Sequence, residues 1–147
     1  SHRRGCLRPD LMKVFLDTNV IASATATRGL CADVLRTVIE FHALVVSEHL
    51  VGELRRVLKD KFGVSADVIA DVVWLLQQDT IAAEALPLAD LPLKDIADVA
   101  IVSSAVNGGA DILITGDKEV LSLKHVGSMK ILTPRQFWDN ERGQPVR

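Results

Sequence analysis

Two short apolar runs in this chain each deliver an aspartate just beyond their last residue. One reads Lys13-Val14-Phe15-Leu16-Asp17, the other Ile112-Leu113-Ile114-Thr115-Gly116-Asp117. Runs of this kind form buried strands, and an acid at the carboxyl end of such a strand lines the crevice where open α/β sheets take their ligands. Two more acids can join them. Glu53 lies on a helical stretch after a second strand, and Asp98 lies in the first turn of a helix opened by Asp95. Carboxylates with no Cys or His set beside them suit a hard cation such as Mg²⁺ or Mn²⁺. The chemistry of such a site is metal-assisted hydrolysis, in which the cation polarises a phosphoryl oxygen and helps deprotonate a water.

Each acid also has a plainer role. Asp17 can close an Asx-turn, Asp117 can cap a short helix after Gly116, and Asp98 is favoured by the helix dipole alone. Glu53 can be a solvated member of a charged helix face. The combination is more specific than any member. The four histidines share no spacing. Asn107-Gly108-Gly109 falls between a helix and a strand, not between a strand and a helix as phosphate-binding glycine loops do, so it reads as a helix stop.

The elements that must position these acids alternate along the chain. After the first strand, Leu30–Phe41 carries Leu30, Val34, Leu35, Val38 and Ile39 at helical spacing, and 43–46 is a second buried strand. Ser47 caps a helix whose stripe is Leu50, Val51, Leu54, Val57 and Leu58. Gly63 ends it and Ser65 opens another, with Val68, Ile69, Val72, Val73 and Leu76 in register. A third strand is expected over 80–86, then a loop. The Asp95-capped helix follows over 96–107, with Ile96, Val99, Ala100, Val102 and Ala105 for packing. A helical turn at 120–123, a strand at 130–132 and a helix opened by Thr133-Pro134 complete the order. Alternation of this kind predicts an α/β fold with a mostly parallel central sheet between helical layers.

With 147 residues, the chain is sized for one domain. Its 48% hydrophobic and 24% charged residues exclude a disordered chain. A net charge of −2 means that a nucleic-acid partner must be drawn by local cations or bound metal. Residues 1–11 read as a disordered leader, 12–141 as the domain and 142–147 as a fraying tail. No run approaches the ~18 residues of a membrane span. The two cysteines form no CxxC or Cys/His cluster, so a reducing cytoplasm is the default compartment.

Phe15-Leu16-Asp17-Thr18-Asn19-Val20, Val46-Ser47 with Gly52-Glu53-Leu54, the helix from Asp98 to Ala105, and Ala110-Asp111-Ile112-Leu113-Ile114-Thr115-Gly116-Asp117 resemble, in order, the four acidic motifs of PIN domains. The likeness is to the toxin components of bacterial toxin–antitoxin pairs and spans 12–138. It implies a three-layer α/β/α PIN fold, Mg²⁺- or Mn²⁺-dependent cleavage of single-stranded RNA, inhibition by a cognate antitoxin, and homodimers. It also implies Asp17, Glu53, Asp98 and Asp117 as catalytic metal ligands, with Asn19 and Thr115 as polar supports. Asp95 competes with Asp98, and Glu48 with Glu53. Arg28, Arg55, Lys94 and Lys118 are the rim cations available to guide a strand.

Two other functions fit parts of the pattern. A phospho-accepting signalling domain also combines a parallel sheet, strand-end aspartates and Mg²⁺. Against it, a lone acid rather than an acidic pair marks the first strand end, and no lysine follows the last strand. A PIN-like module that only binds RNA or a partner would not need all four acids.

Overall fold

The computed structural model describes residues 11–143, so the expected leader up to residue 10 and the last four residues of the expected tail lie outside it. A six-stranded sheet forms the centre, in the order β3-β2-β1-β4-β6-β5. Its strands are β1 (Lys13–Leu16), β2 (Ala43–Ser47), β3 (Ile81–Ala83), β4 (Ile112–Ile114), β5 (His125–Val126) and β6 (Met129–Leu132). All pairs are parallel except β5 with β6. Helices cover both faces: α1 (Thr18–Ala26), α2 (Leu30–Phe41), α3 (Glu48–Asp60), α4 (Ala66–Leu76), α5 (Ile96–Asn107), α6 (Lys118–Leu121) and α7 (Pro134–Gly143).

The central strands must be apolar on both faces because helices cover both. Val14, Phe15, Leu16, Leu113 and Ile114 are accordingly fully buried. Against them pack Val34 and Val38 of α2, Leu50, Leu54 and Leu58 of α3, Val102 and Ala105 of α5, and Phe137 of α7. The helix starts follow their capping chemistry. Ser47 accepts from Leu50 N–H at 3.1 Å, Ser65 from Val68 N–H at 3.3 Å and Asp95 from Ala97 N–H at 2.8 Å. Thr133 and Gln136 form a reciprocal capping box around Pro134.

The stop after α5 has a steric cause. A Cβ on Gly108 would lie 2.4 Å from the Val45 side chain and 2.8 Å from that of Ala83, so only glycine lets the helix end this close to β2 and β3. Gly109 takes a left-handed φ of +74°.

Several elements differ from their sequence expectation. α1 was not anticipated, because its Ser, Thr and Val content gives little helical signal; Asp17 acting as its N-cap is what starts it. β3 keeps only Ile81–Ala83 of the expected 80–86, and the stretch beyond is irregular. α6 begins at Lys118, earlier than expected, since Asp117 caps it. β5, a two-residue hairpin arm, left no pattern to read. Ile96, expected to pack, is 84% exposed. Among the described residues no helix is long and apolar enough to cross a membrane.

Candidate active site

From β1 the chain builds outward through β2 and β3 on one side, and β4, β6 and β5 lie on the other. Strand order therefore reverses between β1 and β4, where Leu16 is in register with Ile114. The carboxyl ends of those two strands open the crevice that such a reversal creates. Asp17 leaves β1 there, its N–H donating to Ile114 O at 2.9 Å. Thr115 and Asp117 leave β4 beside it.

The crevice has an inner lobe of about 220 Å³ lined by Asp17, Asn19, Glu53, Asp95, Asp98 and Asp117, with Thr18, Val57, Ala97 and Ile101 completing the wall. An outer lobe of about 370 Å³ is lined by Lys94, Asp95, Asp98, Asp117 and Glu119. Asp95, Asp98 and Asp117 line both lobes. Of the residues that the sequence singled out, Asp17, Asn19, Glu53, Asp98 and Asp117 line the inner lobe. Thr115 lies behind it, fully buried. Asp95 is also in the wall, one turn before Asp98, with Oδ1 committed to the α5 cap. Glu48 is exposed at the start of α3 and lines neither lobe.

Local hydrogen bonds fix the acids. Thr115 Oγ1 donates to Asp17 Oδ2 at 2.6 Å and accepts from Asp117 N–H at 3.0 Å, so one hydroxyl couples the two strand-end acids. Asp17 Oδ1 accepts from Thr18 N–H at 2.6 Å. Thr18 Oγ1 in turn donates to Glu53 Oε1, tying α1 to α3. Asp117 Oδ1 accepts from the N–H groups of Glu119 and Val120 at 2.8 and 3.3 Å. Thr18 and Glu119 are the participants that sequence reasoning missed. Thr18 stood inside the first motif, but nothing in one sequence links it to a glutamate 35 residues on.

The electrostatics are unfavourable as they stand. Burial pushes the Asp17 carboxyl up; the bonds from Thr115 and Thr18 pull it down, and Glu53 and Asp117 push it up again. Asp98 is pushed up to about 6, first by burial and then by Asp117, Asp95, Asp17 and Glu119. No cation lines the inner lobe. A set of oxygen ligands that repel one another fits a hard divalent ion, which would relieve that repulsion. Asp117 Oδ2, Glu53 Oε2 and both Asp98 oxygens carry no hydrogen bond among the described residues, and each Asp17 oxygen accepts only one, so all four side chains keep lone pairs that could hold it. Among the described residues, however, no three acidic, His or Cys side chains converge closely enough to close around one ion. Asp17, Glu53 and Asp117 are each engaged by local donors instead.

An open, mostly parallel sheet with an acidic crevice at its reversal point defines an α/β domain that takes its ligand at that crevice. A family model for the PIN domain matches residues 13–119, well over half of the chain, and the chain belongs to that family. PIN domains are generally nucleases and generally use divalent metal ions. Among solved structures, the chain is similar to VapBC2 from Rickettsia felis bound to a DNA fragment from their promoter. The TM-score is 0.61 at 14% identity, over 83% of this chain and 98% of that one. It is also similar to the PIN domain endonuclease Utp24, with TM-score 0.47 and 19% identity over 82% of this chain and 84% of that one. No curated protein matches significantly.

Proposed function

We propose that the chain is a divalent-metal-dependent endoribonuclease that hydrolyses phosphodiester bonds in single-stranded RNA, with Asp17, Glu53, Asp98 and Asp117 as the catalytic ligands. The observation that carries this reading is that all four acids line one inner lobe with no cation in its wall. Bound there, Mg²⁺ or Mn²⁺ would supply Lewis-acid polarisation of the phosphoryl group and a water of lowered pKa. The protein's part is positioning. Thr115 and the Thr18 N–H hold both oxygens of Asp17, and Thr18 Oγ1 holds Glu53. Asn19, exposed at the lobe, offers an uncharged donor to a phosphoryl oxygen. Asp98 takes the ligand role over Asp95 because the PIN motif that this helix resembles places its acid there, and neither Asp98 oxygen is engaged in a hydrogen bond, whereas Asp95 Oδ1 is.

Charge explains why cation and substrate go together. Like unit charges ~5 Å apart repel by roughly 3 kcal/mol at an effective dielectric of about 20, so a phosphodiester is driven from a lobe of bare carboxylates. Wild-type protein is therefore expected to bind single-stranded RNA weakly in EDTA. Neutralising Asp17 and Asp117 together should raise that metal-free binding and abolish cleavage.

The biological role that fits the resemblance is the toxin of a toxin–antitoxin pair in the cytoplasm, blocked by a cognate antitoxin and working as a homodimer. The deciding assay is purified full chain on labelled single-stranded RNA with Mg²⁺, Mn²⁺ or EDTA. Cleavage with either metal, lost in EDTA and in Asp17→Asn, is expected. Cleavage indifferent to EDTA would overturn the reading. Induced expression should arrest growth for wild type and not for Asp17→Asn; equal growth would remove the toxin role.

A further inference from the structure

Of the four rim cations named from the sequence, the fold brings only Lys94 to the crevice. Arg28, Arg55 and Lys118 line neither lobe, although Lys118 is adjacent in sequence to Asp117. Lys94 sits in the outer lobe with Asp95, Asp98, Asp117 and Glu119. It makes no ion pair with any of them within 4.0 Å, and it is the one cation in either lining. A lysine beside four acids that closes on none of them keeps its ammonium donors available. The outer lobe shares three aspartates with the inner one, so a charge held at Lys94 lies next to the catalytic lobe.

We infer that Lys94 is the substrate-positioning residue of this site, binding a backbone phosphate next to the scissile one so that the strand enters through the outer lobe. The inference rests on the nuclease reading above and deepens it. A point-charge ammonium suits a flexible backbone phosphate and reads no base, so the contact should be indifferent to sequence. It should also act on ground state and transition state alike, changing KM and leaving kcat.

The test uses the full chain and a labelled single-stranded oligoribonucleotide. With Mg²⁺, Lys94→Gln should raise KM about two- to fivefold, the effect of one exposed charge contact, with kcat unchanged. Lys94→Arg, which keeps the charge, should restore most of the loss. Lys118→Gln is the matched control for the general field. Binding supplies the second readout. In the Asp17→Asn/Asp117→Asn background in EDTA, adding Lys94→Gln should reduce the slope of log K against log salt by about 0.7, one single-strand phosphate contact. A Lys94→Gln variant identical to wild type in a cleaving enzyme overturns the inference and leaves the nuclease reading intact. So does a fall confined to kcat, or an equal effect of Lys118→Gln. A wild type that neither binds nor cleaves RNA overturns both.

Discussion

The two ends of the sheet solve opposite problems. At the amino end, a buried histidine is paired on both ring nitrogens. His42, 1% exposed, accepts Met12 N–H on Nδ1 at 3.1 Å, which places its ring proton on Nε2, 2.9 Å from Glu141. That ring meets Phe137 edge-on at 5.9 Å, joining β1, β2 and α7. Asp111 accepts Lys13 N–H at 2.8 Å. At the carboxyl end, six acids share a crevice with one lysine. Burial there works against charge instead of being offset by it. One end holds the fold, and the other keeps charge in reserve for a ligand.

The largest expected effect separates the ends by function. Asp17→Asn should lower RNA cleavage by on the order of 100-fold or more, since even groups behind metal ligands cost 10- to 100-fold. Asparagine caps α1 nearly as well, so its melting temperature should stay close to wild type. A drop comparable to a core truncation, about 2 to 5 kcal/mol, would make Asp17 structural. Asp98→Asn should impair cleavage far more than Asp95→Asn; the reverse ranking would move the site one turn back.

His42→Ala should do the opposite. It removes a buried ring and leaves Met12 N–H and Glu141 unpaired, destabilising by about 2 to 4 kcal/mol in denaturant melts. Specific activity per folded molecule should not change, and a parallel loss of turnover would tie the two ends together.

Next in size is a pH effect at the acidic end. The Asp98 carboxyl stands at about 6 against an ordinary 3.8, so the folded chain holds a proton that the unfolded chain has lost. Its contribution is complete below about 3.8 and is lost as pH rises through about 6. In EDTA, Asp98→Asn should therefore gain on wild type in thermal melts between pH 5 and 7.5, by about 1 kcal/mol after solvent screening. A gap that narrows over that range has the wrong sign. Smallest of all, Ile96→Ala should change stability by less than about 0.5 kcal/mol, because the side chain is in solvent. A larger loss would mean that α5 packs more deeply at its start.

How much of this could be read from the chain depended on how local the cause was. β1 and β4 were plain because burial on both faces demands unbroken apolar runs, and their terminal acids marked the crevice. Caps at Ser47, Ser65, Asp95 and Thr133 acted within three residues and were legible for that reason. α1 was missed because its start depends on Asp17, which reads equally as a ligand. The Thr18 to Glu53 and Thr115 to Asp17 bonds join residues 35 and 98 apart, and only the fold brings them together. Asp95 and Asp98 could not be separated by pattern, since both suit a helix start; both line the lobe, and only one caps the helix.

The proposed nuclease chemistry stands or falls on a divalent-cation site among the acids at the carboxyl end of the sheet. Calorimetric titration of Mn²⁺ into wild type and into Asp17→Asn/Asp117→Asn at pH 7.5 tests it most directly. Saturable binding to wild type, weakening as pH falls through about 6 and absent from the double variant, is the predicted result. Equal binding to both proteins, or none to wild type, would contradict it.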